Sequence, residues 1–427
     1  MGVTSIVVLF LLLLVVGTPV GYIFYFVGGL YLITNGVNLG AVVAKMGSSM
    51  NSINMVAVPM FIFAGTFMNH LNLTDSIFNA IMVTPVGKMK GGLAQVNVIA
   101  SLVFAGMSGA ALADVGGLGK IEIKAMVNAG YSLEDATGIT LASSTLGPLF
   151  PPSIPLMLYA LYAEQSGIRM LAAGILPAIL MCILFMGTVS FLAHKKKWPT
   201  YDGPTDHKTR WKIFIKGIPG FMVPVLLLAG MYSGKFASSE LAAVCSVIAL
   251  MVAVFCYHTV SWKTFVNAAK ESVANIGAMF FICGAASVFA QVISRAGVAA
   301  IVQNFVTSLN MSWFGLLIII NIIFLIIGMF MDSNVAIMIF TPILLPSLIA
   351  MGIDPIHFGV VICLNVVIGI FTPPFGTALF LGQAVTGLSF ARIVKAMVPY
   401  FVPLLVGLLL ITAFPWISTL IPNMMFG

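Results

Sequence analysis

A chain of 427 residues that is 60% hydrophobic and only 7% charged, with a mean hydropathy of +1.12, has too little polar surface to clothe a soluble globule. Apolar runs of about 20 residues, the length a bilayer demands, recur from end to end, so the composition specifies an all-α polytopic membrane protein whose solvent is the lipid bilayer. Its net charge of +7 would suggest nucleic acid in a soluble chain, but here the lysines and arginines gather between apolar runs, where the orientation rule for membrane proteins accounts for them. No nucleic-acid partner is expected.

The first 17 residues have the apolar core of a signal peptide without a basic stretch ahead of it, and the run resumes past Gly17 and Pro19 to Ile33. A retained, bent helix is expected, followed by a small polar loop at 45–54 that closes an N-terminal scaffold, residues 1–54. The first of two repeats, residues 55–197, begins with a helix from about Met55 to Ile81, then Lys88 and Lys90. Next comes ASLVFAGMSGAALADVGGLGKIEIK, whose arms are each too short and too interrupted to span. Lysines stand at both ends, including Lys120 and Lys124, so the economical reading is a re-entrant hairpin entering and leaving on the cytoplasmic face.

Leu141 to Ala160, LASSTLGPLFPPSIPLMLYA, reads as a broken membrane helix. Pro148, Pro151, Pro152 and Pro155 remove backbone donors and free carbonyls, which survive at membrane depth only against protein or a polar cavity. A helix from about Met170 to Ala193 returns to the densest basic cluster, Lys195 to Lys216, read as a cytoplasmic loop. With helices at about 217–233 and 238–257 it forms a connecting region, residues 198–262.

Residues 263–427 read as the second repeat, with opposite orientation. A helix at about 274–294 leads to an apolar region broken at GMFMDSNVA, then to NVVIGIFTPPFGTALFLGQ. At an offset of 222, Gly147 falls on Gly369, Pro151-Pro152 on Pro373-Pro374, and Gly106-Met107 on Gly328-Met329. Four lysines flank the first hairpin, whereas no lysine or arginine lies between Ala296 and Ala391, as inverted repeats require under the positive-inside rule.

Asp114 and Asp332 sit deep in apolar stretches, where a carboxylate is costly and marks function unless it caps a half-helix. Hydroxyls and amides beside the breaks, with unwound carbonyls, suit a hard monovalent cation. Ser108, Ser144 and Gly147 are candidates for one sodium ion, and Asp332, Ser333, Asn334, Gly369 and Thr372 for another. Past the proline pairs, Ser153, Gly376 and Thr377 are candidates for substrate contact, since an anion can use N–H groups at half-helix N-termini without an arginine. The five cysteines are scattered singly in apolar runs and read as packing residues.

Taken together, GMSGAALAD with SSTLGPLFPPSIP and GMFMDSNVA with GIFTPPFGTALF resemble the large membrane subunit of tripartite ATP-independent periplasmic (TRAP) transporters, over essentially the whole chain. The resemblance implies a sodium-coupled secondary transporter of the bacterial inner membrane, with an elevator mechanism and the ion-transporter superfamily fold. It implies a small membrane subunit of about four helices, a periplasmic substrate-binding protein, and an organic anion as substrate. Sialic-acid members look most similar, C4-dicarboxylate members next. Related dicarboxylate transporters carry Ser-Asn-Thr at their hairpin tips. Here the second tip has Asp332-Ser333-Asn334, while the first, Ser108-Gly109-Ala110, lacks the amide, which shifts weight to backbone carbonyls near Gly147. A proton-coupled carrier of the same fold, and an uncoupled channel or scaffold, stand as alternatives.

Overall fold

The computed structural model describes residues 3–71, 73–200, 206–308 and 311–427. Among them the regular structure is helical. The first part comprises α1 Val3–Val15, α2 Val20–Thr34, α3 Leu39–Met50, α4 Ile53–His70, α5 Leu73–Met82, α6 Gly92–Ser108, α7 Ala111–Gly116 and α8 Leu118–Asn128. There follow α9 Leu133–Ser143, α10 Ile154–Tyr162, α11 Gly167–Ala173, α12 Ile175–Lys196, α13 His207–Ser233, α14 Ser238–Met251 and α15 Trp262–Arg295. The chain closes with α16 Val298–Ser308, α17 Trp313–Phe330, α18 Ser333–Ala350, α19 Pro355–Ile370, α20 Thr377–Thr386, α21 Phe390–Ala413 and α22 Trp416–Phe426. Among the described residues, seven helices are long and apolar enough to cross a membrane, or eight if α4 and α5, bent by 69°, count as one span.

Exposed Phe191, Val225 and Val402 lie on the flanks of such helices, where lipid is the solvent, while Ser272, Asn321 and Thr341 are buried inside. The most enclosed stretches are the first broken helix and the first half of the second. Every residue from Ala136 to Ala160 is buried, and so is every residue from Ile356 to Phe371. Both Pro151-Pro152 and Pro373-Pro374 peptide bonds are cis.

The packing around the breaks is reciprocal. The first arm of each hairpin lies on the first half of its own broken helix, α6 on α9 and α17 on α19. The helix after each break lies on the second arm of the other hairpin, α10 on α18 and α20 on α7. Outside this centre, α2, α4, α13, α14 and α15 pack on one another, and α4 and α15 meet the centre at α10 and α18.

Several boundaries differ from the sequence expectation, each for a local reason. Residues 45–50 continue helix α3, which Asn38 starts by accepting from the Gly40 N–H at 2.9 Å. The helix expected from Met55 to Ile81 ends at His70 and restarts at Leu73. Much of the basic segment expected as a loop is helix: Asp206 accepts from the N–H groups of Lys208 and Thr209, so Lys208, Arg210, Lys212 and Lys216 ride on α13. The helix expected at 274–294 starts earlier, at Trp262, where Ser261 caps it.

Candidate functional site

At the first break, Ser144 ends α9 and its hydroxyl donates to the Thr140 carbonyl at 2.7 Å. The tip of the first hairpin is seated here: Gly109, at φ +61°, accepts from the Ile154 N–H at 3.3 Å, and a Cβ on it would lie 2.3 Å from the Pro152 carbonyl oxygen. Glycine is the residue that fits, both for conformation and for space. Gly147 approaches Ala110 of the same tip. The Ser108 side chain lies outside the described residues. Asp114 on α7 is fully buried, and neither of its carboxylate oxygens has a hydrogen-bond partner. Ser101 and Ser144 flank it, but their protons go elsewhere, to Ser143 Oγ and the Thr140 carbonyl.

At the second break, Asp332 takes the capping role: its Oδ1 accepts from the Asn334 N–H at 2.9 Å and opens α18. Ser333 is buried beside it, and Asn334 Oδ1 is a buried acceptor with no donor. Gly328 and Gly369 cross backbone to backbone, so close that a Cβ on Gly369 would lie 2.5 Å from the Gly328 Cα. Thr372 donates to the Ile368 carbonyl at 2.8 Å, leaving its oxygen lone pairs available.

The substrate candidates divide. Ser153 is buried and committed to its own backbone, accepting from the Leu156 N–H at 3.2 Å and donating to the Pro148 carbonyl. Thr377 is exposed, and Gly376 starts α20 without a side-chain cap, so the first N–H groups of α20 lack a side-chain acceptor. A separate cavity of about 650 Å³ opens between α4, the first hairpin and α15. Thr66, Asn69, His70, Lys120, Glu271 and Asn275 supply its polar lining, with His70 Nε2 2.6 Å from Glu271 Oε2. Ser153, Gly376 and Thr377 do not line it.

Polar atoms buried beside breaks in paired half-helices are what a membrane carrier displays, and the comparisons decide which kind. The profile described as the tripartite ATP-independent periplasmic transporter, DctM component, matches residues 7–417. The chain belongs to this family. It is 35% identical over 416 residues to the sialic acid TRAP transporter large permease protein SiaM of Vibrio cholerae, covering 97% of each chain. It is also 35% identical over 419 residues to the sialic acid TRAP transporter permease protein SiaT of Haemophilus influenzae, covering 97% of this chain and 67% of that one. To the C4-dicarboxylate large permease protein DctM of Pseudomonas aeruginosa it is 33% identical over 380 residues, covering 89% of this chain and 88% of the relative. The Alcanivorax borkumensis YdaH transporter shares the fold, with a TM-score of 0.60 at 16% identity over 88% of this chain and 87% of that one. A DctM component is a multi-pass transporter permease, not an enzyme.

This DctM component also joins Ser143, one of the hydroxyls beside the first break, to buried amides and a carboxylate that sequence reasoning passed over. Ser143 Oγ donates to Asn97 Oδ1 at 2.7 Å, and Asn97 Nδ2 donates to Glu122 Oε2 at 2.6 Å and Thr140 Oγ1 at 2.9 Å. In the other half, Asn365 Nδ2 donates to Asn321 Oδ1 at 2.8 Å, and Asn321 Nδ2 donates to Thr412 Oγ1 at 2.9 Å. Ser143 and Asn365 are 222 positions apart, the repeat offset, and each ties its broken helix to an asparagine on the first arm of its own hairpin. That offset was readable as the signal.

Proposed function

We propose that this large permease couples sodium to the import of an organic anion across the bacterial inner membrane. A sialic acid is the first choice, given the 35% identity to SiaM and SiaT, and a C4-dicarboxylate the second. One observation carries the ion assignment: at both breaks, buried oxygens stand without donors, the Asp114 carboxylate beside Ser101 and Ser144, and Asn334 Oδ1 two residues from the capping Asp332. Buried acceptors left bare are costly, and a cation at each place offsets that cost. The anion is held at the uncapped start of α20, Gly376 and Thr377, where N–H groups favour negative charge. Ser153 contributes by shaping the first break. The centre with both breaks moves as an elevator against the α2, α4, α13, α14 and α15 group, and the cavity of about 650 Å³ between them is the path to one side. A small four-helix membrane subunit and a periplasmic binding protein complete the machine.

The test is the sodium concentration for half-maximal uptake in liposomes containing the complete transporter, at saturating substrate. Asn334→Ala and Thr372→Val each remove a group of the second site, at about 1 to 3 kcal/mol. That corresponds to about ten- to a hundredfold weaker apparent sodium affinity. Lys235→Ala, exposed in a loop, is the control. Wild-type sodium dependence in both variants would exclude the second break as an ion site.

A further inference from the structure

Glu122 has no part in the ion and substrate sites above, yet it is fully buried. In the run Lys120-Ile121-Glu122-Ile123-Lys124 the two lysines, four apart, share the exposed face of α8, and Glu122 points the opposite way. Three other helices close over it: α6, α7 and α9 all pack on α8, and α5 touches it. Of their charged groups, α6 contributes none, α5 carries Asp75, and α9 carries Glu134 and Asp135 at its opening, where Arg392 and Lys196 pair with them. From α7 comes Asp114, which acts on Glu122 as a like charge. Glu122 has no ion-pair partner among the described residues. Its Oε2 accepts from Asn97, and its Oε1 has no donor at all.

The hydrogen bonds leading to it run one way. Ser101 donates to Ser143 at 3.0 Å, Ser143 to Asn97, and Asn97 to Glu122, so the line starts beside Asp114 and ends on Oε2. A fully buried carboxylate whose one donor is a neutral amide, whose second oxygen is bare and which has no ion-pair partner among the described residues is relieved of its charge by taking up a proton. Ser101, which flanks Asp114, already donates into the line, and Glu122 has the oxygen free to carry hydrogen.

We propose that Glu122 is a proton-binding site of this permease, with the proton on Oε1 while Oε2 continues to accept from Asn97. Through Asn97 and Ser143 its presence is felt at the end of α9, one residue from Ser144. The inference stands whether or not sodium drives transport.

A protonated carboxyl has its own infrared carbonyl stretch, which ionised carboxylates lack. Of the five glutamates, Glu134, Glu164, Glu240 and Glu271 reach the surface, so Glu122 is the buried one. In the purified full-length chain at neutral pH, the expected result is a protonated-carboxyl band that shifts when the protein is grown with heavy-carbon glutamate, disappears in Glu122→Gln, and persists in Asp114→Asn. The labelling arm uses the wild-type chain, so it answers even if Glu122→Gln fails to fold. Absence of the band, a band unmoved by labelled glutamate, or a band retained in folded Glu122→Gln overturns the proposal. Uptake is not measured, so the outcome is independent of the transport reading.

Discussion

Asn365 shows what a single side chain contributes at membrane depth. Its amide donates to both the Asn321 side chain and the Asn321 carbonyl, at 2.8 and 3.0 Å. Asn365→Leu leaves the Asn321 side-chain oxygen without that donor, which should lower stability in detergent by about 1 to 3 kcal/mol. Ser347 is the contrast: its hydroxyl is buried with no partner, so Ser347→Ala should be neutral or stabilising in the same thermal or denaturant titration. The sequence made Asp114 and Asp332 visible because a carboxylate in an apolar run stands out. Glu122 was hidden because its neighbours Lys120 and Lys124 make the stretch look solvated, and only helical phase separates the two faces. Asn97, Asn321 and Asn365 were hidden for another reason: an amide is unremarkable until its partner, tens of positions away, is known.

Helices and breaks were legible to different degrees. Proline pairs flanked by glycine and hydroxyls marked both breaks, since the missing donors are written in the residues themselves. The short helices α3 and α16 were not foreseen, because neither is long or apolar enough to announce itself as a span. The basic segment before residue 217 was read for the side of the membrane it marks, and charge says nothing about whether the backbone is helical there. Where α17 crosses α19, small residues allow backbone contact in place of the hydrophobic effect, which lipid does not supply between helices. Gly369→Ala forces the Gly328 crossing apart and should cost about 1 to 3 kcal/mol, seen as loss of monodisperse protein on size exclusion. Gly29→Ala, where a Cβ meets nothing within 4 Å, should leave the elution profile unchanged.

At the scale of the whole molecule, the sequence offered two halves and a lysine asymmetry but not how the halves engage. The reciprocal packing of α10 on α18 and α20 on α7 is the arrangement a two-fold relation between halves produces. If the halves are inverted, position 124 and position 354 lie on opposite sides of the membrane. A cysteine at each, in a background lacking Cys182, Cys245, Cys256, Cys283 and Cys363, should be labelled by an impermeant thiol reagent from opposite faces of oriented vesicles. Labelling of both from the same face would rule out inversion.

The reciprocal packing also bears on how the protein is made. Residues 154–162 leave the ribosome long before 333–350, the helix that covers them, has been synthesised. Until then α10 has α4 beside it but not α18, and on that open side the freed carbonyls must be sheltered by the translocation machinery or by water rather than by this chain. The two halves are born in succession but come of age together, so a ribosome that stalls after the first half leaves behind not half a transporter but an unfinished one, fit chiefly for the membrane's quality-control proteases.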